Sequence, residues 1–113
     1  MENRKIKKVP NKGIGFLNPN ALYPNTLEKQ VEGYLVRRVK EAGGLAAKWV
    51  SPGLNGVPDR IVFLPGGRII FVEVKAPGKK LRPIQEHIRK KLEGLGVDFK
   101  VIDTKEAVNA LFF

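Results

Sequence analysis

Residues 56–78 read Gly56-Val57-Pro58-Asp59-Arg60-Ile61-Val62-Phe63-Leu64-Pro65-Gly66-Gly67-Arg68-Ile69-Ile70-Phe71-Val72-Glu73-Val74-Lys75-Ala76-Pro77-Gly78. Two apolar runs flank Pro65-Gly66-Gly67, and turn-forming residues bound the whole stretch, the pattern of two strands joined by a hairpin. The strands are expected over about Asp59 to Leu64 and Arg68 to Lys75. Alternation along the second puts Ile69, Phe71, Glu73 and Lys75 on one face and Ile70, Val72 and Val74 on the other. Both faces begin apolar, as in a central strand covered on both sides.

Loop length sets the register. A three-residue loop pairs Leu64 with Arg68, and counting outward brings Phe63 to Ile69, Ile61 to Phe71 and Asp59 to Glu73. A two-residue loop would put Asp59 opposite Val74, on the wrong face. A glycine in the last loop position suits the left-handed conformation of a three-residue loop, which favours the first register. Asp59 and Glu73 then face each other with β-carbons roughly 5 Å apart.

Two opposed carboxylates repel, and one must take up a proton unless a cation lies between them. A divalent oxygen-seeking ion such as Mg²⁺, with Mn²⁺ as a substitute, answers this arrangement. Such an ion lowers the pKa of a bound water and offsets charge on a phosphate oxygen. Lys75 would orient the attacking water or balance the charge at phosphorus. These are the requirements of phosphodiester hydrolysis. Glu-x-Lys alone is commonly an ion pair at a sheet edge; the opposed aspartate and the chain's basicity move the reading toward chemistry.

Outward from the hairpin, Leu27, Val31, Tyr34, Leu35 and Val39 lie at helical spacing after Asn25 and Thr26, both good N-caps. Gly43-Gly44 ends that helix. A strand is expected from Leu45 to Val50, then a Gly- and Pro-rich loop from Ser51 to Pro58. Beyond Ala76-Pro77-Gly78, a basic helix is expected from about Pro83 to Leu95, with Ile84, His87 or Ile88, Leu92 and Leu95 inward. A strand at Val97 to Ile102 and a short helix capped by Thr104, carrying Ala107, Val108 and Leu111, complete the order α-β-β-β-α-β-α. The fold class is α/β, a mixed four-stranded sheet flanked by helices. Residues 1–25, with Arg4, Lys5, Lys7, Lys8 and Lys12 among prolines and asparagines, read as a basic extended arm. It would bind phosphates, contact a neighbouring subunit or stay disordered; residues 26–113 form the folded domain.

Composition bounds the function. The 113 residues suffice for one core. Without Cys, and with His87 as the one histidine, disulfide, thiolate and multi-imidazole sites are excluded. No apolar run approaches a membrane span and no signal peptide is apparent, so the expected location is a cytoplasm. Lys and Arg number 21 against 11 acids, a formal charge of +10, which attracts polyanions.

The residues Pro58-Asp59 followed by Glu73-Val74-Lys75 match the PD-(D/E)xK nuclease motif. More narrowly, Gly56-Val57-Pro58-Asp59-Arg60, Phe71-Val72-Glu73-Val74-Lys75-Ala76-Pro77-Gly78 and Gln85 resemble the VRR-Nuc family over residues 26 to 111. The resemblance implies a restriction-endonuclease-like core and metal ligation by Asp59, Glu73 and the carbonyl of Val74. It implies Lys75 as the catalytic lysine and Gln85 beside the site, contacting the phosphate or positioning water. An acid on the first helix is implied too; Glu28 and Glu32 both qualify, and Glu32 is preferred for its distance from the helix-ending glycine. Small relatives resemble Holliday junction resolvases, acting as homodimers on branched DNA, with bacterial and bacteriophage origins. The expected activity is a Mg²⁺-dependent, structure-selective DNA endonuclease; the alternatives are a nuclease of flap or linear DNA and a non-catalytic DNA-binding module.

Lys79, Lys80, Arg82, Arg89, Lys90 and Lys91 follow the site and are candidates for backbone phosphate contacts, as against a solvated helix face. Arg60 points away from Asp59 by strand parity and reads as structural or dimer-facing. Trp49 reads as core and His87 as an ordinary helix residue. Phe112 and Phe113 are apolar for a tail and suit a core groove or an interface.

Overall fold

The computed structural model describes residues 24–112. Helix α1 spans Pro24–Glu41, strand β1 Leu45–Lys48, β2 Arg60–Leu64 and β3 Arg68–Val74. Helix α2 spans Pro83–Gly94, strand β4 Phe99–Ile102 and helix α3 Lys105–Asn109, followed by a 3-10 turn at Ala110–Phe112. The expected order of elements is the observed one. The sheet runs β1-β2-β3-β4, antiparallel at the first two junctions and parallel between β3 and β4, with α2 as the crossover.

The hairpin has the three-residue loop. Leu64 pairs with Arg68, Phe63 with Ile69 and Ile61 with Phe71, and Gly66 and Gly67 take φ of 88° and 81°, a conformation a β-carbon would oppose. The ladder ends at Arg60 and Val72, one pair short of the expected Asp59 and Glu73. Strand ends elsewhere also draw in: β1 stops before Trp49, β3 before Lys75, and β4 starts at Phe99 rather than Val97.

Helix α1 buries Val31, Leu35 and Val39, one turn apart, against Val62, Ile70, Val72 and Val74 of the sheet. Val108 and Leu111 close the same core, with Phe112 packed at its margin. Gly43 and Gly44 end α1 by donating to the carbonyls of Lys40 and Val39, a Schellman arrangement. Gly44 serves packing as well: a β-carbon there would lie 2.3 Å from the carbonyl of Phe63. Helix α1 already includes Pro24, so Asn25 and Thr26 lie within it instead of capping it. Most of the basic arm, and Phe113, lie outside the described residues.

Helix α2 covers part of the opposite face. Its buried residues are Gln85 and Ile88, whereas His87 is exposed, Ile84 is largely so and Leu95 is 79% exposed. The expected inward set is therefore corrected to Gln85, Ile88 and, half-buried, Leu92. A polar residue takes the inward position because a polar partner waits beneath it.

Candidate active site

Glu73 lies on the β3 face covered by α2 and is 3% exposed. Burying a carboxylate is costly unless partners meet it, and two do. The Gln85 side-chain nitrogen donates to Glu73 Oε2 at 2.9 Å, and Lys75 Nζ lies 3.6 Å from the same oxygen. Gln85 is itself fixed, because its Oε1 accepts the Arg82 backbone N–H at 2.9 Å, the reciprocal half of a helix-capping arrangement. Glu73 Oε1 is buried and, among the described residues, has no hydrogen-bond partner.

Asp59 follows Pro58 at the mouth of β2. Its Oδ2 accepts the Val74 N–H at 2.9 Å, and its carbonyl accepts from Trp49 N–H at 3.0 Å. The carboxylate is thus pinned to the last residue of β3, beside Glu73. Both acids hold protons more tightly than usual. Burial raises the Asp59 pKa, with Glu32 adding to it, against the Val74 N–H, Lys75 and Lys48. Burial and then the charge of Asp59 push Glu73 from 4.5 to about 7, against Lys75. An acid whose charge raises the pKa of its neighbour, as Asp59 does for Glu73, favours a cation beside the pair.

The donor set fits a hard divalent ion. No donor among the described residues engages Glu73 Oε1, and Asp59 accepts the Val74 N–H through Oδ2. Among the described residues no cluster of three or more His, Cys, Asp or Glu is placed to hold an ion. Mg²⁺ does not require one, since it keeps several waters and is commonly held by one or two carboxylates.

The helix acids flank this centre differently. Glu32 Oε2 lies 2.9 Å from Arg60 Nε, and Arg60 also donates to the Ala46 carbonyl at 2.9 Å. Arg60 is therefore structural, tying α1 to β1. The charge of Glu32 acts on Asp59 and that of Glu28 on Glu73, so both acids border the site. The Arg60 pairing escaped sequence reading, although parity had already turned this cation toward the face that α1 covers. Asp103, also missed, accepts the Gly78 N–H at 3.1 Å and steadies the loop after Lys75; its signal was a carboxylate one residue past the strand parallel to β3.

The basic candidates do not all converge. Lys79, Lys80 and Arg89 line one cleft with Leu81, Glu86 and Val101. Arg82 reaches the site through its backbone, and the exposed Lys90 is not among the cleft's lining. Trp49 is half-buried and meets Phe71 edge-on at 5.5 Å, beside the site rather than in the main core.

Residues 22–106 match the family model of the VRR-NUC domain. A protein of Acyrthosiphon pisum secondary endosymbiont phage 1, named "Putative nuclease p44", is 48% identical over 84 residues, covering 74% of this chain and 90% of that one. A solved structure of a VRR_NUC domain superimposes with a TM-score of 0.71 at 32% identity, covering 76% of this chain and 94% of its own. The family model spans most of the chain and the solved domain shares its fold, and the chain belongs to the VRR-NUC family.

Proposed function

We propose that this chain is a metal-dependent nuclease that hydrolyses phosphodiester bonds in DNA, with branched DNA such as four-way junctions as its substrate. The observation that carries the reading is the buried Glu73 carboxylate, with one oxygen held by Gln85 and Lys75 and the other, among the described residues, without a partner. Asp59, Glu73 and the carbonyl of Val74 would hold Mg²⁺. When bound, the ion would activate a water and offset charge on a phosphate oxygen. Gln85 holds Glu73 through one oxygen and leaves the second for the ion. Lys75, 13% exposed, supplies a fixed positive charge beside the phosphate, where low solvent access strengthens its effect. Glu28 or Glu32 would bias the attacking water, and Arg60 restrains Glu32. The net charge of +10 draws the DNA backbone toward the chain.

Pairing into a homodimer would let two centres cut both strands of a symmetric junction. Supporting it is an apolar row across three strands, Leu45, Phe63 and Ile69, which are 61%, 39% and 46% exposed.

The test incubates the full chain with four-way junctions, flaps and plain duplex in Mg²⁺ or Mn²⁺, with and without chelator, beside Asp59→Ala. Metal-dependent cutting of junctions that Asp59→Ala removes, with DNA binding retained, is the expected result. Preferential cutting of flaps or duplex would replace the substrate. Binding without metal-dependent cutting would leave a DNA-binding module.

A further inference from the structure

Beside the site lies a cleft of about 350 Å³ lined by Lys79, Lys80, Leu81, Glu86, Arg89 and Val101. The sheet fixes its position. Val101 of β4 is the cross-strand neighbour of Glu73, so the cleft floor is one strand spacing, about 5 Å, from the site glutamate. On the opposite wall Glu86 directly follows Gln85, the residue that holds Glu73. A cleft of this size falls at the lower end of small-molecule sites, ~300–1,000 Å³.

Its chemistry is mixed in a particular way. Leu81 and Val101 offer an apolar floor, and Lys79 and Lys80 are exposed beside it. Glu86 Oε1 lies 3.3 Å from Arg89 Nη1, and Arg89 Nε lies 3.5 Å from Glu93. A bare anion would meet two lysines but also the Glu86 carboxylate, while two glutamates already offset Arg89. The ligand that satisfies every wall has a flat apolar body, hydrogen-bond donors for Glu86, acceptors for Arg89 and an attached anion for the lysines. A nucleotide has this composition: base edges carry amino donors that a carboxylate accepts and ring or carbonyl acceptors to which a guanidinium donates.

The geometry points to a subsite for one unpaired nucleotide, its base in the cleft and its phosphate on Lys79 and Lys80, next to the bond cut at Asp59 and Glu73. The base must be unpaired, because a stacked and paired base cannot turn its edge into a side cleft without leaving the helix. This rests on the nuclease reading and narrows its substrate to strands with a free base beside the scissile phosphate, as occurs at a flap or at a branch point where a base pair has opened.

The experiment uses the full chain and fluorescent branched DNAs that carry a single abasic nucleotide, moved one position at a time through the branch. Binding is followed by anisotropy in chelator, then cleavage in Mn²⁺. The expected profile has one position where base removal weakens binding about tenfold, the scale of a single lost base contact, with its neighbours within twofold. Val101→Phe, which fills the floor, should flatten that profile. If that variant fails to fold, adenosine or guanosine monophosphate should shift the amide NMR signals of Leu81 and Val101 in the unaltered chain. A flat profile with the unaltered protein overturns the subsite and, if metal-dependent cutting persists, leaves the nuclease reading standing. A single-position profile with no cutting of any DNA supports the subsite and overturns the nuclease reading.

Discussion

On one face of β3, Ile70, Val72 and Val74 are completely buried under α1 and α3. On the other, Ile69 is about half exposed, Phe71 is capped by the edge of Trp49, and Glu73 is buried with its carboxylate. The strand is the same, and the neighbours differ. One side is closed by apolar packing alone, which is where the domain gains its stability. The other leaves apolar area open and sequesters a charge, two departures from the most stable arrangement that are expected where chemistry is carried out.

Substitutions on the two faces should therefore separate activity from stability. The largest effect is expected at Lys75, where replacement by Ala should lower metal-dependent cleavage by ~10³-fold. The thermal midpoint should move little below about pH 7, where Glu73 holds a proton, and fall above it, where the buried carboxylate loses its cation; single-turnover kinetics and calorimetry together would check both. On the core face, Leu35→Ala should cost about 3 kcal/mol in urea unfolding through the cavity it leaves, with cleavage per folded molecule unchanged at low temperature. A core substitution that abolished activity in the folded protein would break the contrast.

The buried charge should sharpen it through pH. Burial and Asp59 hold Glu73 protonated up to about 7 in the folded chain, whereas the ordinary value is 4.5. Between those values the folded chain retains a proton that the unfolded chain has released. The metal-free protein should thus lose stability as pH rises from 4.5 to 7, on the order of 2 kcal/mol, and lose no more of this contribution above it. Glu73→Gln should remove the slope, and saturating Mn²⁺ should offset the loss at pH 8; denaturant titrations across pH read both. The smallest effect belongs to Ile69→Thr, at the open end of the site face, which should shift unfolding by no more than about 0.5 kcal/mol.

Much of this contrast was legible in the residues. Period-two alternation separated Ile70, Val72 and Val74 from Phe71 and Glu73, and Pro65-Gly66-Gly67 set the register because a glycine in the last loop position suits a three-residue loop. What escaped depends on long-range contacts that carry no local period. Gln85 faces inward because Glu73 lies beneath it, so apolar periodicity alone put Ile84 and Leu95 inside instead. Arg60 could be assigned a face but not the partner that α1 delivers, Glu32. Strand ends shifted by one or two residues because pairing stops where a neighbour stops, and that lies outside the strand's own sequence.

Gly56, with φ 85°, sits so close to α2 that a β-carbon would come within 2.7 Å of the Ile84 carbonyl. Three residues after it comes Asp59, and next to Ile84 comes Gln85. The aspartate's loop and the helix restraining the glutamate are therefore geared together at one contact. Force applied to α2 by a nucleic acid strand would reach both acids at once, and a methyl group at Gly56 would unmesh them without touching either carboxylate.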